Sequence, residues 1–360
     1  MKVFAVKILF MEYSPGLRGV IAGETSISTV GAEGESLSYR GVDAVGLTET
    51  NNYQDTASLI IEDNLDSKEF VKHFNYHYTR ICENEFYFNL FKSLCDELHP
   101  MDVIRTMISS SGELNEASHI EQTSRMISLS SFAIAQFVDR CSENIRGGAQ
   151  NENYLVASAL LPGEENVEFL EALDDVLILY AEHGFNASTF ACRVSASTRS
   201  DLTSSITSGI GTLKGELHGG ANEEGTKLIV SFNSPEEAIS GIKNKLSKKE
   251  KIMGFGHGVY KIKDPRSQIV KSWVEKLSVR DKEINNFEIA KAIDKTMKEE
   301  KDLFPNVDFY GGLLLHLLGF KTELFTPIFV VGRTAGWSAH YFEQREQDTL
   351  IRPAAKYIGK

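Results

Sequence analysis

Three short glycine-rich segments contain the residues best suited to catalysis. These segments are Gly215–Asn222 (GELHGGAN), Met253–Arg266 (MGFGHGVYKIKDPR) and Pro305–Gly312 (PNVDFYGG). Each places one acid–base side chain, His218, His257 or Asp308, beside or near glycines, which let the backbone approach a ligand closely. Two imidazoles and a carboxylate supply a base for a C–H proton and hydrogen-bond donors for two carbonyl oxygens. This set predicts enol chemistry and carbon–carbon bond formation without a metal.

Three arginines are suited to binding an anionic substrate. Arg333 stands in the middle of the apolar segment Phe325–Phe342, so a protein carboxylate or a ligand anion must face its guanidinium. The residues alone leave these two alternatives open. Arg266 follows an Asp-Pro turn and Arg352 lies in Ile-Arg-Pro near the end of the sequence. Since a guanidinium can hold two oxygens at once, the three arginines suit a dicarboxylate.

The local settings of the histidines allow more than one role. His218 precedes a predicted helix, whose N-terminal dipole keeps an imidazole neutral, although a lone histidine in a glycine-rich turn more often has a structural role. His257 lies among three glycines whose backbone N–H groups suit a nucleotide or phosphate, and Lys261 follows four residues later. His183 precedes Gly184, in a setting typical of a helix C-terminus.

Metal binding is the alternative for these histidines. His183, His218, His257 and Asp308 are metal-ligand types, but none belongs to a pair with local ligand spacing. The one HxxxH pair is His73 and His77, where Phe74 occupies the position of the glutamate in a metalloprotease HExxH motif. We therefore expect no metal in the catalytic site.

Composition limits the class of protein. The chain has 360 residues, which favours two lobes, and its net charge of −12 argues against a nucleic-acid partner. No apolar run reaches the roughly 18 residues of a membrane span, and the N-terminal segment 1–16 lacks a signal-peptide pattern. The scattered cysteines form no CxxC motif, so we expect reduced thiols and a cytoplasmic protein; they are Cys82, Cys95, Cys141 and Cys192.

The hydrophobic periodicity predicts an all-α protein with short N-terminal strands. Residues 1–50 are typical of short strands and turns, with a strand or packed arm at the start. Apolar residues at spacings of three and four then predict helices over 53–62, 67–98 (two helices), 102–110, 121–144, 166–184, 201–213, 223–230, 234–246, 267–277 and 287–300. Phe325–Phe342 is apolar nearly all round, which predicts a buried central helix.

The motifs, taken in order, resemble the citrate synthase family. LHGGAN, MGFGH with VYK and DPR, PNVDF, and GRTAGW with AH, EQR and IRP carry the resemblance, which extends from about Gly16 to Gly359. HPMDVIRT and LILYAEHGFNASTF are most similar to the 2-methylcitrate synthases of that family. The resemblance implies a helical homodimer with a large domain (1–218 and 324–360) and a small domain (219–323). A cleft between the two domains would close on substrate.

The resemblance also implies a role for each motif residue. Asp308 would take the α-proton of an acyl-CoA thioester, His218 would hydrogen-bond the thioester oxygen, and His257 would polarise the oxaloacetate ketone. The carboxylates would be held by His183, Arg266, Arg333 and, from the other subunit, Arg352. Coenzyme A would bind at Met253, Gly254, Phe255, Gly256, His257 and Lys261, as a co-substrate and with no tightly bound cofactor.

Two residues bear on the identity of the acyl substrate. Tyr180 is similar to the methylcitrate subtype, whereas Val307 is similar to citrate synthases proper. We predict a 2-methylcitrate synthase that uses propionyl-CoA, as in the 2-methylcitrate cycle of propionate catabolism. The alternative is citrate synthase of the tricarboxylic acid cycle, using acetyl-CoA, or dual specificity. Glu216 replaces the family's proline and is expected to raise the pKa of His218.

Overall fold

The computed structural model describes residues 14–17, 19–31, 36–114, 116–138, 151–281 and 284–359. Helices dominate these ranges, as predicted. They are α1 Ala44–Thr50, α2 Tyr53–Glu62, α3 Lys68–Cys82, α4 Glu85–Leu94, α5 Pro100–Ser110, α6 His119–Val138, α7 Leu155–Leu160, α8 Val167–Tyr180, α9 Ala187–Ser197, α10 Leu202–Leu213, α11 Ala221–Val230, α12 Pro235–Ser247, α13 Pro265–Asp281, α14 Ile284–Lys301, α15 Val307–Leu317 and α16 Phe325–Gln347. Two single turns of 3₁₀ helix cover Pro15–Leu17 and Thr322–Leu324.

A small antiparallel sheet accounts for the strand prediction near the N-terminus. Its strands are β1 Ser28–Val30, β2 Leu37–Tyr39 and β3 Val42–Asp43, in that order, with Ser28 opposite Tyr39 and Tyr39 opposite Val42. The strand or arm expected at the very start of the chain lies outside the described residues. The prediction of strands and turns up to residue 50 is wrong at its end, because α1 begins at Ala44. Asp43 caps that helix by accepting a hydrogen bond from the Gly46 N–H at 2.8 Å.

Besides α1, three helices were missed because they lack a clear apolar stripe. Helix α9 is rich in serine, alanine and threonine, and its interior face includes the buried Ser188 and Thr189. Helix α7 has only six residues. Helix α15 begins at Val307 in spite of the adjacent Gly311 and Gly312, which are buried inside it. The part of the helix predicted over 121–144 that follows residue 138 lies outside the described residues.

Helix α16 is the buried central helix that the sequence predicts. It packs against α6, α8, α9 and α10, and its side chains are buried along almost the whole length from Phe325 to Phe342. A helix that is apolar on all sides must be surrounded by other elements to remove its surface from water. Consequently the one arginine near its middle, Arg333, is only 2% exposed. None of the helices within the described ranges is sufficiently long and apolar to cross a bilayer.

Helix α16 lies directly against the segment that follows α8 and holds it in place. The Gly336 N–H in α16 donates to the Ala181 carbonyl at 3.1 Å, and a Cβ at position 336 would collide with that carbonyl and with the Glu182 carboxylate. Glu182 in turn accepts hydrogen bonds from Ser28 Oγ at 2.9 Å and from His340 Nε2 at 3.0 Å. The His340 ring has its proton on Nε2, because Nδ1 accepts from Arg193 at 2.9 Å. These contacts hold the backbone next to His183.

Gly336→Ala is expected to destabilise the protein by roughly 2–3 kcal/mol, because the added methyl group meets a backbone carbonyl that cannot rotate away. Gly225→Ala in α11 is the matched control, since a Cβ there meets neighbours only at 3.7 Å or more. That control should be neutral or more stable by about 0.5–1 kcal/mol, the helix penalty of glycine. Denaturant unfolding measures both. Equal stability of the two variants would contradict the close approach.

Candidate active site

The residues predicted to do chemistry lie around one large cavity. It has a volume of about 1050 Å³ and is bordered by the end of α8, the turn before α11, the loop before α13, the start of α15 and the middle of α16. The predicted site residues that line it are His183, His218, Met253, Gly254, Phe255, Gly256, His257, Arg266, Asp308 and Arg333. Residues from five separate parts of the chain therefore face the same space.

His218 lies in the turn before α11 as a neutral hydrogen-bond donor. Its Nε2 accepts a hydrogen bond from the Ser188 backbone N–H at 3.3 Å and lies 2.8 Å from Ser188 Oγ. Because a backbone N–H can only donate, Nε2 carries the lone pair and the ring proton is on Nδ1. Burial, assisted by the charge of Arg333, lowers the pKa of His218 to about 4. The imidazole is thus uncharged at neutral pH.

Glu216 does not have the predicted effect on this histidine. Its side chain is exposed, and the pKa of His218 is lowered by burial and by Arg333 rather than raised by a carboxylate. The expectation from the sequence is wrong because adjacency of two residues in a turn does not bring their side chains together. Water screens the exposed Glu216 carboxylate.

His257 has the opposite tautomer. The backbone N–H groups of Val259 and Tyr260 donate to its Nδ1 at 3.0 and 3.2 Å, so the proton of the neutral ring is on Nε2. Burial, with the nearby Arg266, lowers its pKa to about 4. The loop that holds it needs glycine, since Gly254 and Gly256 have φ values of 86° and 73°. Both active-site histidines are therefore neutral donors with fixed proton positions.

Asp308 is a carboxylate suited to act as a base near neutral pH. It lies in the first turn of α15, where its N–H donates to the capping side chain of Asn306 at 3.0 Å. Burial raises its pKa to about 6, and Arg266 opposes part of that rise. A carboxylate with a raised pKa binds a proton more strongly than an exposed one, yet it is still ionised at pH 7.

Arg333 carries a buried positive charge without a carboxylate partner in the described part of the chain. Its Nε donates to the Tyr180 carbonyl at 2.7 Å, and its guanidinium stacks over Phe329 at 4.7 Å from the ring centre. The nearby Glu182 pairs instead with His340. Glu182 offsets part of the Arg333 charge from a distance, but no carboxylate among the described residues bonds to the guanidinium. Since a buried charge without a direct partner is costly and this one borders a cavity, the ligand-anion alternative is favoured over the structural ion pair.

Arg266 is paired more fully than the sequence suggested. Asp264 accepts from both its Nε at 2.9 Å and its Nη2 at 2.8 Å, and the same carboxylate accepts from the Val307 N–H at 3.0 Å. One edge of the guanidinium is therefore occupied by protein, which leaves Nη1 for a ligand. The pair also ties the loop before α13 to the start of α15, next to Asp308.

His183 contacts both Tyr260 and His257. Its Nε2 lies 3.1 Å from the Tyr260 hydroxyl, and its ring centre is 5.0 Å from that of His257. Burial lowers its pKa far below the ordinary value. In the part of the chain that the structure describes, His183, His218, His257 and Asp308 do not bring three ligand atoms to metal-binding separations.

Three predicted site residues lie outside the cavity wall. Tyr180 is fully buried behind Phe329, against which its ring stacks at 4.3 Å. Lys261 is exposed, with its amine donating to the Gly258 carbonyl at 3.2 Å. Arg352 is exposed on the segment after α16 and does not line the cavity of its own chain.

Sequence reasoning missed several residues that position the site. Ser188 and Tyr260 hydrogen-bond the histidines, and Asp264 pairs with Arg266. Lys251 and Lys301 line the cavity where cations were not predicted. Asp264 was identifiable, because a carboxylate two residues before a buried arginine is a natural partner. Nothing in the local pattern around the other four indicates their contacts.

Known proteins with similar sequences and structures match almost the whole chain. Residues 16–354 match the family model for citrate synthase, C-terminal domain. The 2-methylcitrate synthase of Shewanella oneidensis is 38% identical over 356 residues, which cover 96% of this chain and 94% of that protein. Citrate synthase 2 of Bacillus subtilis is 37% identical over 362 residues, which cover 97% and 96%.

A solved structure shows the same fold. The ternary complex of citrate synthase from Thermoplasma acidophilum with carboxymethyl coenzyme A and oxaloacetate superposes with a TM-score of 0.87 at 27% identity, over 97% of both chains. Family matches at this coverage leave no large part of the chain unexplained. The family inferred from the sequence motifs is therefore confirmed: the chain belongs to the citrate synthase family and is a condensing acyltransferase.

Proposed function

We propose that the enzyme condenses propionyl-CoA with oxaloacetate and hydrolyses the resulting thioester, giving 2-methylcitrate and coenzyme A. The observation that carries this proposal is that three side chains lining one cavity have complementary protonation states. His218 and His257 are neutral donors, while Asp308 is an ionised base with a pKa of about 6. The two donors can each hydrogen-bond a carbonyl oxygen, and the base can remove one C–H proton.

In each step of the proposed reaction, the group that acts has its proton on the atom that the step requires, or has lost it. The Asp308 carboxylate takes the α-proton of the thioester while the Nδ1–H of His218 donates to the thioester oxygen, which stabilises the enol. The enol carbon then attacks the ketone carbon of oxaloacetate. The Nε2–H of His257 donates to the ketone oxygen and supplies the proton that the new alkoxide needs. Water finally cleaves the thioester and releases the coenzyme A thiol.

The oxaloacetate carboxylates would be bound by the cations at the inner end of the cavity. Arg333, Arg266 and His183 all line this cavity, and the bonds to Asp264 use only the Nε and Nη2 of Arg266. A dianion there would neutralise the charge that Arg333 leaves uncompensated. Arg352 would complete the set from the other subunit of a homodimer.

Coenzyme A would occupy the outer part of the cavity. The Met253–Gly256 loop lines the cavity, as do Lys251 and Lys301, whose ammonium groups suit the phosphates. Lys261, exposed nearby, would be a further phosphate contact. The predicted cleft lies between the large domain and the small domain, 219–323, whose closure would exclude water during condensation.

Preference for propionyl-CoA is supported by Tyr180 and by the 38% identity to a 2-methylcitrate synthase. The ring of Tyr180 stacks on Phe329, which lines the cavity, so it determines the shape of that wall. Val307 and the 37% identity to a citrate synthase favour acetyl-CoA as the alternative substrate. We also propose a cytoplasmic location, in keeping with free thiols at Cys82, Cys95 and Cys192.

The acyl preference can be measured directly. With oxaloacetate at saturation, kcat/KM should be about tenfold higher for propionyl-CoA than for acetyl-CoA, as one methylene in an apolar pocket allows. Free thiol release, with acetyl-, propionyl- and butyryl-CoA side by side, is the assay. The reverse ranking would identify a citrate synthase. No turnover with any of the three would refute the condensation itself.

Activity should fall at acid pH because of Asp308. Its base form exists above the pKa of about 6 and is lost below it, so kcat/KM for the acyl-CoA should drop about tenfold per pH unit in that range. His218 and His257, each with a pKa of about 4, remain neutral donors throughout. Circular dichroism over the same pH range controls for unfolding. A flat profile down to pH 5 would remove Asp308 as the base.

Complementation tests whether each site is shared between subunits. Asp308→Asn and Arg352→Gln should each lower kcat by at least about a hundredfold alone, since one removes the base and the other a substrate cation. Coexpressed, they should form mixed dimers with one intact site each. Random pairing then restores about one quarter of wild-type activity.

The control for this experiment pairs Asp308→Asn with His218→Gln. Both residues belong to the same chain's cavity, so mixed dimers keep no intact site and should stay inactive. If Arg352 acted within its own chain, the Asp308→Asn and Arg352→Gln mixture would stay inactive as well. Recovery in the first mixture alone is therefore the result that supports a shared site.

A further inference from the structure

A second cluster of potential ligands lies between α3 and α6, away from the proposed active site. His73 and His77 are one turn apart on α3, so they share a face of that helix. Glu121, in the first turn of α6, faces both of them. We propose that His73, His77 and Glu121 bind a divalent transition-metal ion of the zinc type, which links the two helices.

The separations fit a common ion. His77 Nε2 lies 3.5 Å from Glu121 Oε1, and His73 Nδ1 lies 3.8 Å from the same oxygen. Ligand atoms from all three residues lie within 4.8 Å of one another. With bonds of about 2.0–2.2 Å, a tetrahedral ion holds neighbouring ligands roughly 3.3–3.5 Å apart, so small side-chain rotations complete the site. Two imidazoles and one carboxylate are ligands typical of zinc.

His77 supplies an independent reason to expect a ligand. The residue is only 8% exposed, and its buried Nε2 has no hydrogen-bond partner among the described residues. The Glu121 oxygen at 3.5 Å is too distant to satisfy it. A buried polar atom without a partner costs free energy, and a metal bond at Nε2 removes that cost.

The two ring nitrogens of His73 are placed as in a metal-binding histidine, with one facing the proposed ion and the other facing a carboxylate. Its Nε2 lies 3.3 Å from a Glu69 carboxylate oxygen, one turn earlier on α3, while Nδ1 faces Glu121. A carboxylate that accepts from the distal nitrogen fixes the ring and makes it a better ligand. The carboxylates of Glu69 and Glu121 together balance the charge of a divalent ion. This balance is needed because the positive charge of Arg125 also lies nearby and would repel the ion.

His77 also borders a separate cavity. This cavity, of about 730 Å³, is lined by His77, Arg80 and Arg125, which gives water or a small anion access from the side of His77. Its lining shares no residue with that of the proposed active site. The HxxxH pair was set aside in the sequence because Phe74 replaces a local glutamate. The third ligand instead comes from another helix, 44 residues after His77.

Metal titration of the full-length protein tests the site. After removal of bound ions by a chelator, zinc titrated by calorimetry should bind at one ion per chain, and cobalt should give the visible bands of a four-coordinate site. Glu121→Gln and His73→Ala should each weaken zinc at least tenfold. His316→Ala, at an exposed histidine of α15, should leave the affinity unchanged. Zinc should raise the melting temperature of wild type but not of Glu121→Gln.

A variant of the other imidazole cluster distinguishes this site from the proposed active site. Zinc affinity and stoichiometry should be the same in wild type and in His257→Gln, which removes an imidazole from the active-site cavity. Loss of zinc binding in His257→Gln, equal zinc affinity in wild type and Glu121→Gln, or less than one ion per chain would each overturn the proposal. Circular dichroism confirms that the variants are folded.

Discussion

The buried charge of Arg333 is the constraint on which much of this structure depends. Helix α16 must be enclosed because it is apolar on all sides, and enclosure carries the guanidinium inward with it. Glu182 would be its obvious partner, but that carboxylate is held by His340 and Ser28. The fold therefore keeps a cation ready for an anionic ligand. The same charge helps to lower the pKa of His218, so the proposed binding of substrate and the neutrality of a proposed catalytic group have one source.

Proton positions in the site are set by backbone rather than by other titratable side chains. Backbone N–H groups from Ser188, Val259 and Tyr260 each donate to a histidine nitrogen, and that fixes which nitrogen is left to donate into the cavity. Backbone donors do not change their state with pH. Because burial and nearby arginines also lower the pKa of both imidazoles to about 4, the two rings stay neutral over the range in which Asp308 titrates. In the proposed mechanism the acid limb of activity would then belong to Asp308 alone.

The sequence predicted the parts of the fold and site that depend on local pattern. Helix α16 could be predicted from its unbroken apolar character, and the His218, His257 and Asp308 segments from glycines beside acid–base residues. Helix α9 could not, because its buried face includes serine and threonine. Ser188 bonds with His218 and Trp337 from distant parts of the chain, and Thr189 accepts from Asn186 at the start of its own helix. The prediction that Glu216 raises the pKa of His218 was wrong for a related reason. Two residues can be close in the sequence while water still separates and screens their side chains. Partners such as Ser188 lie thirty residues from the group that they orient.

Contacts between α8 and α13 bear on how the proposed closure would be controlled. The predicted boundary assigns α8 to the large domain and α13 to the small one. The Trp273 indole donates to Asp175 at 2.6 Å, and Glu168 pairs with Lys276 and Arg280 at 3.1 Å. Burial raises the pKa of Asp175 to about 7, so its charge is expensive to keep without the indole. A proposed closure that pivots at the contact between α8 and α13 would preserve this bond.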